Sequence, residues 1–311
     1  MKVLVAGATG AIGRPLISAL LTARHEVIGM SSTEKGAQSL REKGVEGVTA
    51  DALDENAVLT LVTRVRPDAV IDELTSLPRR YTPEEMKAAA GRDRNLRLTG
   101  GSNLQNAARA AGAKRYLVQS TGFFYGPGPG LAVERDTLAV NATPGVAGSV
   151  QTYMKIEERV LSDRGLQGVA LRYGFFYGPG TYHDPVTGSI SEQVRAQAYP
   201  VIGVGAGVSS FVHVEDAAAA TVAALEADPG IYNVVDDDPL ESSVWLPAFA
   251  RFLGAPAPPH ITEEEAIREA GADSVYYANK LRGASNRHAK HKLGFAPRKL
   301  EWLTGQKAAA T

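Results

Sequence analysis

The chain has 311 residues, 44% of them hydrophobic and 22% charged, with 33 basic against 34 acidic side chains and no cysteine. Such a composition fits a soluble globular protein, and its balance of charge leaves no field to gather nucleic acid or anionic lipid. Disulfides, thiolate metal sites and thiol nucleophiles are excluded.

No apolar stretch approaches the roughly 18 residues needed to span a bilayer, and the N-terminus runs straight into a strand without a charged segment and cleavage site. A cytoplasmic protein acting on a small molecule is expected, with neither nucleic acid nor membrane as partner.

In chain order, short β-rich runs at 2–6, 26–30, 47–49, 69–72, 115–119 and 169–172 alternate with helical patterns at 12–23, 34–43, 55–65, 83–111 and 150–163. Six strands joined by five crossovers predict an α/β fold, a Rossmann-type doubly wound parallel sheet over residues 1–173. After Gly174 the alternation fails, and Pro and Gly cluster at 178–188, 200–207 and 254–259. A smaller, irregular substrate-binding lobe is expected over 174–306. Within it, short strands at 211–213 and 231–235 flank an alanine-rich helix at 214–226 and are placed to return to the main sheet. Residues 307–311 read as a disordered tail.

The first strand leads into Gly7, Gly10 and Gly13, and the apolar residues Ile12, Leu16, Ile17 and Leu20 then follow a helical period. Strand, glycine turn and helix in this order predict a dinucleotide site. The first glycine permits the tight turn, the second lets backbone amides near Thr9, Ala11 and Ile12 approach a pyrophosphate, and the third lets the helix pack on its strand. The end of the second strand reads Met30, Ser31, Ser32, Thr33, with no acid before Glu34. A carboxylate there would bond a ribose 2′-hydroxyl and repel a 2′-phosphate. Its absence, with Arg14 and Lys35 as cations and Ser31 and Ser32 as donors, predicts NADP, with NAD as the alternative.

The heptapeptide Gly-Phe-Phe-Tyr-Gly-Pro-Gly occurs at 122–128 and again at 174–180, each copy following a predicted strand. Ligands of open parallel sheets sit beyond the carboxyl ends of strands, so both copies are expected to line one cleft. Phe123, Tyr125 and Tyr177 are the candidate substrate contacts, with ordinary core packing as the alternative role.

Taken together, these motifs resemble the short-chain dehydrogenase/reductase superfamily, in particular its extended and atypical members related to NAD-dependent epimerases and dehydratases. The resemblance rests on the glycine spacing, Asp51 and Ala52 after the third strand, Asn103-Leu104, the segment from Leu171 that contains Tyr173, Phe175 and Phe176, and Phe211-Val-His-Val-Glu-Asp216. It implies that Asp51 and Ala52 meet the adenine and that the Tyr173 segment passes the nicotinamide. It also implies a Ser or Thr, a Tyr and a Lys as catalytic groups, the Tyr four residues before the Lys. Thr121 stands in the first place and Lys155 in the last, where the Lys bonds the nicotinamide ribose.

Four residues before Lys155 stands Gln151, which is neither acid nor base. Tyr153 is close by, but a spacing of two puts it on another helix face from Lys155. His183 is either a proton donor or a solvated loop residue, His213 is structural, and Arg282 is a candidate grip for an anionic substrate. Ser285 and Asn286 are candidates for the cleft or caps of the following helix. No metal is expected, and a homodimer through the helices at 83–111 and 150–163 is possible for this superfamily. The leading expectation is an NADP-dependent oxidoreductase moving a hydride to or from a carbonyl or alcohol carbon. A nucleotide-sugar epimerase or dehydratase and a non-catalytic NADP sensor are the alternatives.

Overall fold

The computed structural model describes residues 1–304; the tail expected at 307–311 lies outside the described residues. Strands β1 (Lys2–Ala6), β2 (Glu26–Ser31), β3 (Glu46–Thr49), β4 (Ala69–Asp72), β5 (Arg115–Thr121) and β6 (Gln167–Tyr173) form as the alternation predicts. The helices between them are α1 (Gly13–Thr22), α2 (Glu34–Arg41), α3 (Glu55–Val65), α4 (Pro83–Asn95), α5 (Gly101–Ala110) and α6 (Pro144–Leu161).

The strands are continuous apolar runs because both faces of the sheet are covered. Val3 and Val5 of β1 pack with α1, whereas Leu4 and Ala6 pack with α3 and α5. The helix expected at 83–111 is interrupted by a five-residue π turn, Leu96–Gly100. Hydrophobic periodicity does not register such a turn, since one inserted residue shifts the face without changing the composition.

Beyond β6 follow β7 (Phe175–Tyr177), α7 (Ser189–Arg195), β8 (Val201–Ile202), β9 (Val208–Ser209), β10 (Phe211–His213), α8 (Val214–Ala224) and β11 (Gly230–Val234). The chain ends with β12 (Leu240–Glu241), α9 (Ser242–Phe252), β13 (His260–Ile261), α10 (Glu263–Ala270), α11 (Ala272–Asn279), α12 (Arg287–Leu293) and α13 (Glu301–Thr304). Strand β11 joins the main sheet beside β6, giving seven strands in the order β11-β6-β5-β4-β1-β2-β3. Strand β10 instead pairs with β7 in a separate two-stranded ribbon.

The chain winds outward from β1 to β2 and β3, then crosses from β3 back to β4 on the other side of β1, so the direction of winding reverses between β1 and β4. A crevice opens at the carboxyl ends of the strands there. The later segments build an aromatic cluster of Phe211, Trp245, Phe249 and Trp302 and a second cluster joining α6 to α11. Both lie next to the loops that follow β5 and β6.

Candidate active site

The glycine turn is built as its spacing requires. Gly7 has φ +80°, and a Cβ there would meet the Glu73 carbonyl oxygen at 2.5 Å; a Cβ on Gly13 would meet the Gly7 carbonyl oxygen at 2.3 Å. Gly10 is different, since its Cβ would approach only the Gly7 oxygen, at 3.2 Å, and the residue is exposed. Helix α1 begins without a side-chain cap and without an acid in its first turn. Its free amide end therefore suits an anion such as a pyrophosphate.

At the end of β2, Ser32, Lys35 and Arg14 are exposed, and Arg14 Nε donates to the Thr9 carbonyl at 3.1 Å. Ser31 departs from expectation, because it is buried and its hydroxyl accepts from the Thr33 amide at 3.3 Å, under Gly36. It shapes the turn and is not free to reach a phosphate. Glu34 is engaged by Arg41 and accepts from Thr49 Oγ1 at 2.7 Å. Asp51 is exposed at the end of β3, while the Ala52 carbonyl is taken by Asn103 Nδ2 at 3.0 Å.

The two copies of the heptapeptide do meet. Phe123 and Phe175 stack with ring centroids 4.1 Å apart and an interplanar angle of 11°. Phe124 turns toward Tyr153 and Tyr277, at 6.2 and 6.1 Å. Phe176 takes the opposite direction and packs on Tyr173 and the core of the α1 side.

Thr121, at the end of β5 beside this wall, is 5% exposed, and its Oγ1 has no hydrogen-bond partner among the described residues. Leaving a buried hydroxyl unbonded costs stability, and such a group commonly waits for a ligand.

On α6 the face turned to the sheet carries Val146, Val150, Ile156, Glu157 and Val160, with Tyr153 half-buried beside them. Glu157 fixes this register, because it accepts from Ser120 Oγ at 2.6 Å and from Arg172 Nε and Nη2 at 2.7 and 2.6 Å. Gln151 and Lys155 are exposed, away from this face, so the catalytic roles expected for them are corrected. Tyr153 is half-buried beside Phe124 and Arg97, and one turn earlier the Ser149 hydroxyl returns to the Gly145 carbonyl at 3.0 Å. Burial pushes the Tyr153 hydroxyl up from its ordinary value, and nearby Arg97 opposes that shift.

Burial or existing contacts engage four further candidates, and for Tyr125 and Tyr177 this is the core-packing alternative. Tyr125 is fully buried, donates to Asn233 Oδ1 at 2.6 Å and accepts from Arg172 Nη1 at 2.8 Å. Tyr177 is buried against His213 and Trp302. His183 is neither solvated nor a donor to the cleft: it lies among Phe211, Trp245, Phe249 and Trp302, and burial lowers its pKa to about 4. Arg282 clamps the loop after β5, donating to the carbonyls of Gly130 and Pro129 at 2.9 Å each and pairing with Asp136.

Tyr173 also changes role. Its side chain is 1% exposed, and its hydroxyl bonds Glu73 Oε1 at 3.1 Å and Thr221 Oγ1 at 2.6 Å, so it supports the site from behind. Asn286 does not cap α12; its Nδ2 donates to the carbonyls of Val235 and Asp236 and to Asp237.

Several site residues escape sequence reasoning. Tyr277, on α11, comes within 6.5 Å of Phe175. Glu73, just beyond β4, is buried beside Gly7, its Oε2 is unbonded, and burial pushes its pKa up to about 8. Arg97, in the π turn, holds its guanidinium 5.1 Å from the centre of the Tyr153 ring. Among the described residues no cluster of His, Asp and Glu could hold a metal, and no helix is long and apolar enough to cross a membrane.

A model of the NAD dependent epimerase/dehydratase family matches residues 3–234. The chain belongs to this family. It is an enzyme of the oxidoreductase type, with a full-length relative in 3-diazoavenalumate denitrifying reductase from a Streptomyces species. That relative is 40% identical over 308 residues, which cover 98% of this chain and 99% of the relative. The UDP-glucose 4-epimerase of Thermus thermophilus, solved with NAD, is 26% identical with a TM-score of 0.69, covering 96% of this chain and 94% of that one. A dTDP-glucose 4,6-dehydratase of Streptomyces venezuelae, also solved with NAD, is 18% identical with a TM-score of 0.74, covering 96% and 93%, and shows the shared fold.

Proposed function

We propose that this family member is a reductase that takes its hydride from NADPH and delivers it to a planar aromatic substrate held against Phe123 and Phe175, an aryl diazo compound being the favoured acceptor. The observation that carries the reading is the relationship to the diazo-compound reductase along almost the whole of both chains.

The residues fit the cofactor. Gly10 and the uncapped start of α1 suit the pyrophosphate, and Gly7 and Gly13 leave no room for a side chain around that turn. Ser32, Lys35 and Arg14 stand exposed where a 2′-phosphate belongs, and Glu34, the acid nearest that place in sequence, is engaged by Arg41 and Thr49. When bound, the reduced cofactor supplies a hydride.

The departures on α6 support the choice of acceptor. An arenediazonium ion that receives a hydride forms one C–H bond and loses its C–N bond, the electron pair leaving with dinitrogen. Charge balances and no proton is required. A helix α6 that carries Tyr153 beside Phe124 and turns Lys155 to solvent can serve that reaction without a tuned acid. The stacked phenylalanines supply a flat apolar wall for an aromatic ring, and Thr121 Oγ1 supplies one polar contact.

Reduction of a carbonyl is the second reading, favoured by Tyr153, which borders the cleft and whose hydroxyl would deliver the proton. Sugar epimerisation is disfavoured, since it begins by removing a hydroxyl proton and needs a base.

The test is to follow NADPH and NADH oxidation with arenediazonium salts, aryl ketones and sugar nucleotides, with dinitrogen measured alongside. NADPH consumed in step with dinitrogen release supports the proposal. Turnover of ketones alone moves the assignment to carbonyl reduction, and preference for NADH overturns the NADP assignment.

A further inference from the structure

We propose that the hydroxyls of Tyr81 and Tyr277 are specificity contacts of the substrate cleft, donating to an oxygen acceptor carried by the aromatic substrate. This rests on the reading that the wall of Phe123 and Phe175 receives such a ring.

The two tyrosines come from distant parts of the chain. Tyr81 lies in the segment between β4 and α4, and Tyr277 lies on α11, its ring centroid 6.1 Å from that of Phe124 and 6.5 Å from that of Phe175. Both side chains are half-buried, and neither hydroxyl has a hydrogen-bond partner among the described residues. Unlike the sealed and equally unpartnered hydroxyls of Tyr177 and Tyr276, they stay reachable from solvent. A tyrosine hydroxyl in apolar surroundings usually finds a partner, so two open ones beside an aromatic wall suit a ligand.

The backbone under each is fixed. The Tyr81 amide donates to Ser189 Oγ at 2.9 Å, and its carbonyl accepts from Gln193 Nε2 at 2.9 Å, which ties this segment to α7. Just beyond Tyr277, the Ala278 carbonyl accepts from the Gly207 amide at 2.8 Å, and Asn279 Nδ2 donates to the Ile202 carbonyl at 3.1 Å. Donors on braced elements lose little freedom when a ligand arrives.

Burial raises the Tyr81 pKa to about 12, with Asp273 adding to it. It also raises that of Tyr277, where Tyr81 is the next cause, so the two hydroxyls act over the same space. Nearby cations are already paired: Arg97 with Asp93, Arg80 with Glu192 and Arg282 with Asp136. Recognition here therefore falls to neutral O–H donors, which serve a hydroxyl, carbonyl or carboxylate oxygen alike.

The experiment measures dissociation constants for 2-naphthol, 2-naphthoate and naphthalene, with and without NADP⁺, so that binding is read without turnover. Wild type, Tyr81→Phe, Tyr277→Phe, the double variant and Tyr276→Phe are compared, with thermal midpoints confirming the fold. Wild type is expected to bind at least one oxygenated probe about tenfold more tightly than naphthalene. Each of the first two variants is expected to lose about threefold of that preference and the double variant most of it, with naphthalene held within about twofold. Tyr276→Phe, which removes a sealed hydroxyl, changes none of the three. The order of 2-naphthol and 2-naphthoate tells whether the acceptor is a neutral oxygen or a carboxylate. If one single variant does not fold, the other decides alone.

Equal affinity of wild type for the oxygenated probes and naphthalene overturns the assignment, as does an unchanged preference in the variants or an equal weakening of all three probes. Failure of every probe to bind overturns the reading of the wall itself. Oxygen preference that falls in the variants, without turnover of arenediazonium salts, keeps the tyrosine assignment and removes the diazo acceptor.

Discussion

At the scale of single residues, two buried oxygens without a hydrogen-bond partner among the described residues, Thr121 Oγ1 and Glu73 Oε2, give separate tests. Thr121 Oγ1 is buried and unbonded in the described structure, so Thr121→Val removes a desolvated hydroxyl at little cost to packing. The thermal midpoint is expected to hold or rise slightly, while turnover falls by about tenfold if, as proposed, this hydroxyl meets the substrate. Equal losses of stability and turnover would show a structural role.

Glu73 gives a pH signature. Its folded pKa, about 8, lies above the ordinary value of 4.5, chiefly through burial. The folded state thus holds the proton more tightly. That contribution is complete below about pH 4.5 and is lost as pH rises toward 8, at up to about 1.4 kcal/mol per pH unit. Glu73→Gln is expected to gain on wild type through that window and to level off above it, as read from denaturant midpoints at several pH values; a difference that does not vary with pH contradicts the shift.

The same scale explains what was legible in the sequence. The position of Thr121 at the end of β5 and the meeting of Phe123 with Phe175 are legible because strand end and motif coincide. Gln151 and Lys155 were misplaced because spacing alone cannot say which helix face meets the sheet; the Glu157–Arg172 pair decides it. Burial of Tyr125, Tyr177 and His183 depends on residues more than 60 positions away in sequence, such as Asn233 and Trp245.

At the scale of elements, the glycine turn separates folding from binding. Gly13→Ala is expected to destabilise strongly, since its Cβ would fall 2.3 Å from the Gly7 oxygen. Gly10→Ala meets that oxygen only at 3.2 Å, so its thermal midpoint should stay within a few degrees while cofactor affinity drops by an order of magnitude or more, where backbone amides must approach the phosphates. Similar losses of stability in both variants would argue against this division of labour.

The ion pair between α6 and β6 is the second element-level device. Glu157→Ala leaves the Arg172 guanidinium buried and short of its partner, with an expected cost of about 3–5 kcal/mol, measurable by urea unfolding. The six strands and the glycine turn were readable because both-face burial imposes continuous apolar runs. The π turn was not, because one extra residue in a helix leaves its composition helical.

For the whole molecule, the sheet brings both copies of the heptapeptide to one edge, and α11, from far along the chain, closes the wall with Tyr277. The fold follows from the family; the proposed substrate rests on the relationship to the diazo-compound reductase and on the wall of stacked phenylalanines. The central claim is direct hydride delivery to an aromatic diazo substrate. The most direct measurement is isotope tracing with an arenediazonium salt and NADPH deuterated at the transferring position, in ordinary water. The account predicts one deuterium in the arene carbon that carried the diazo group for each dinitrogen released, with no label entering from heavy water when ordinary NADPH is used. An arene that takes its hydrogen from solvent would contradict it.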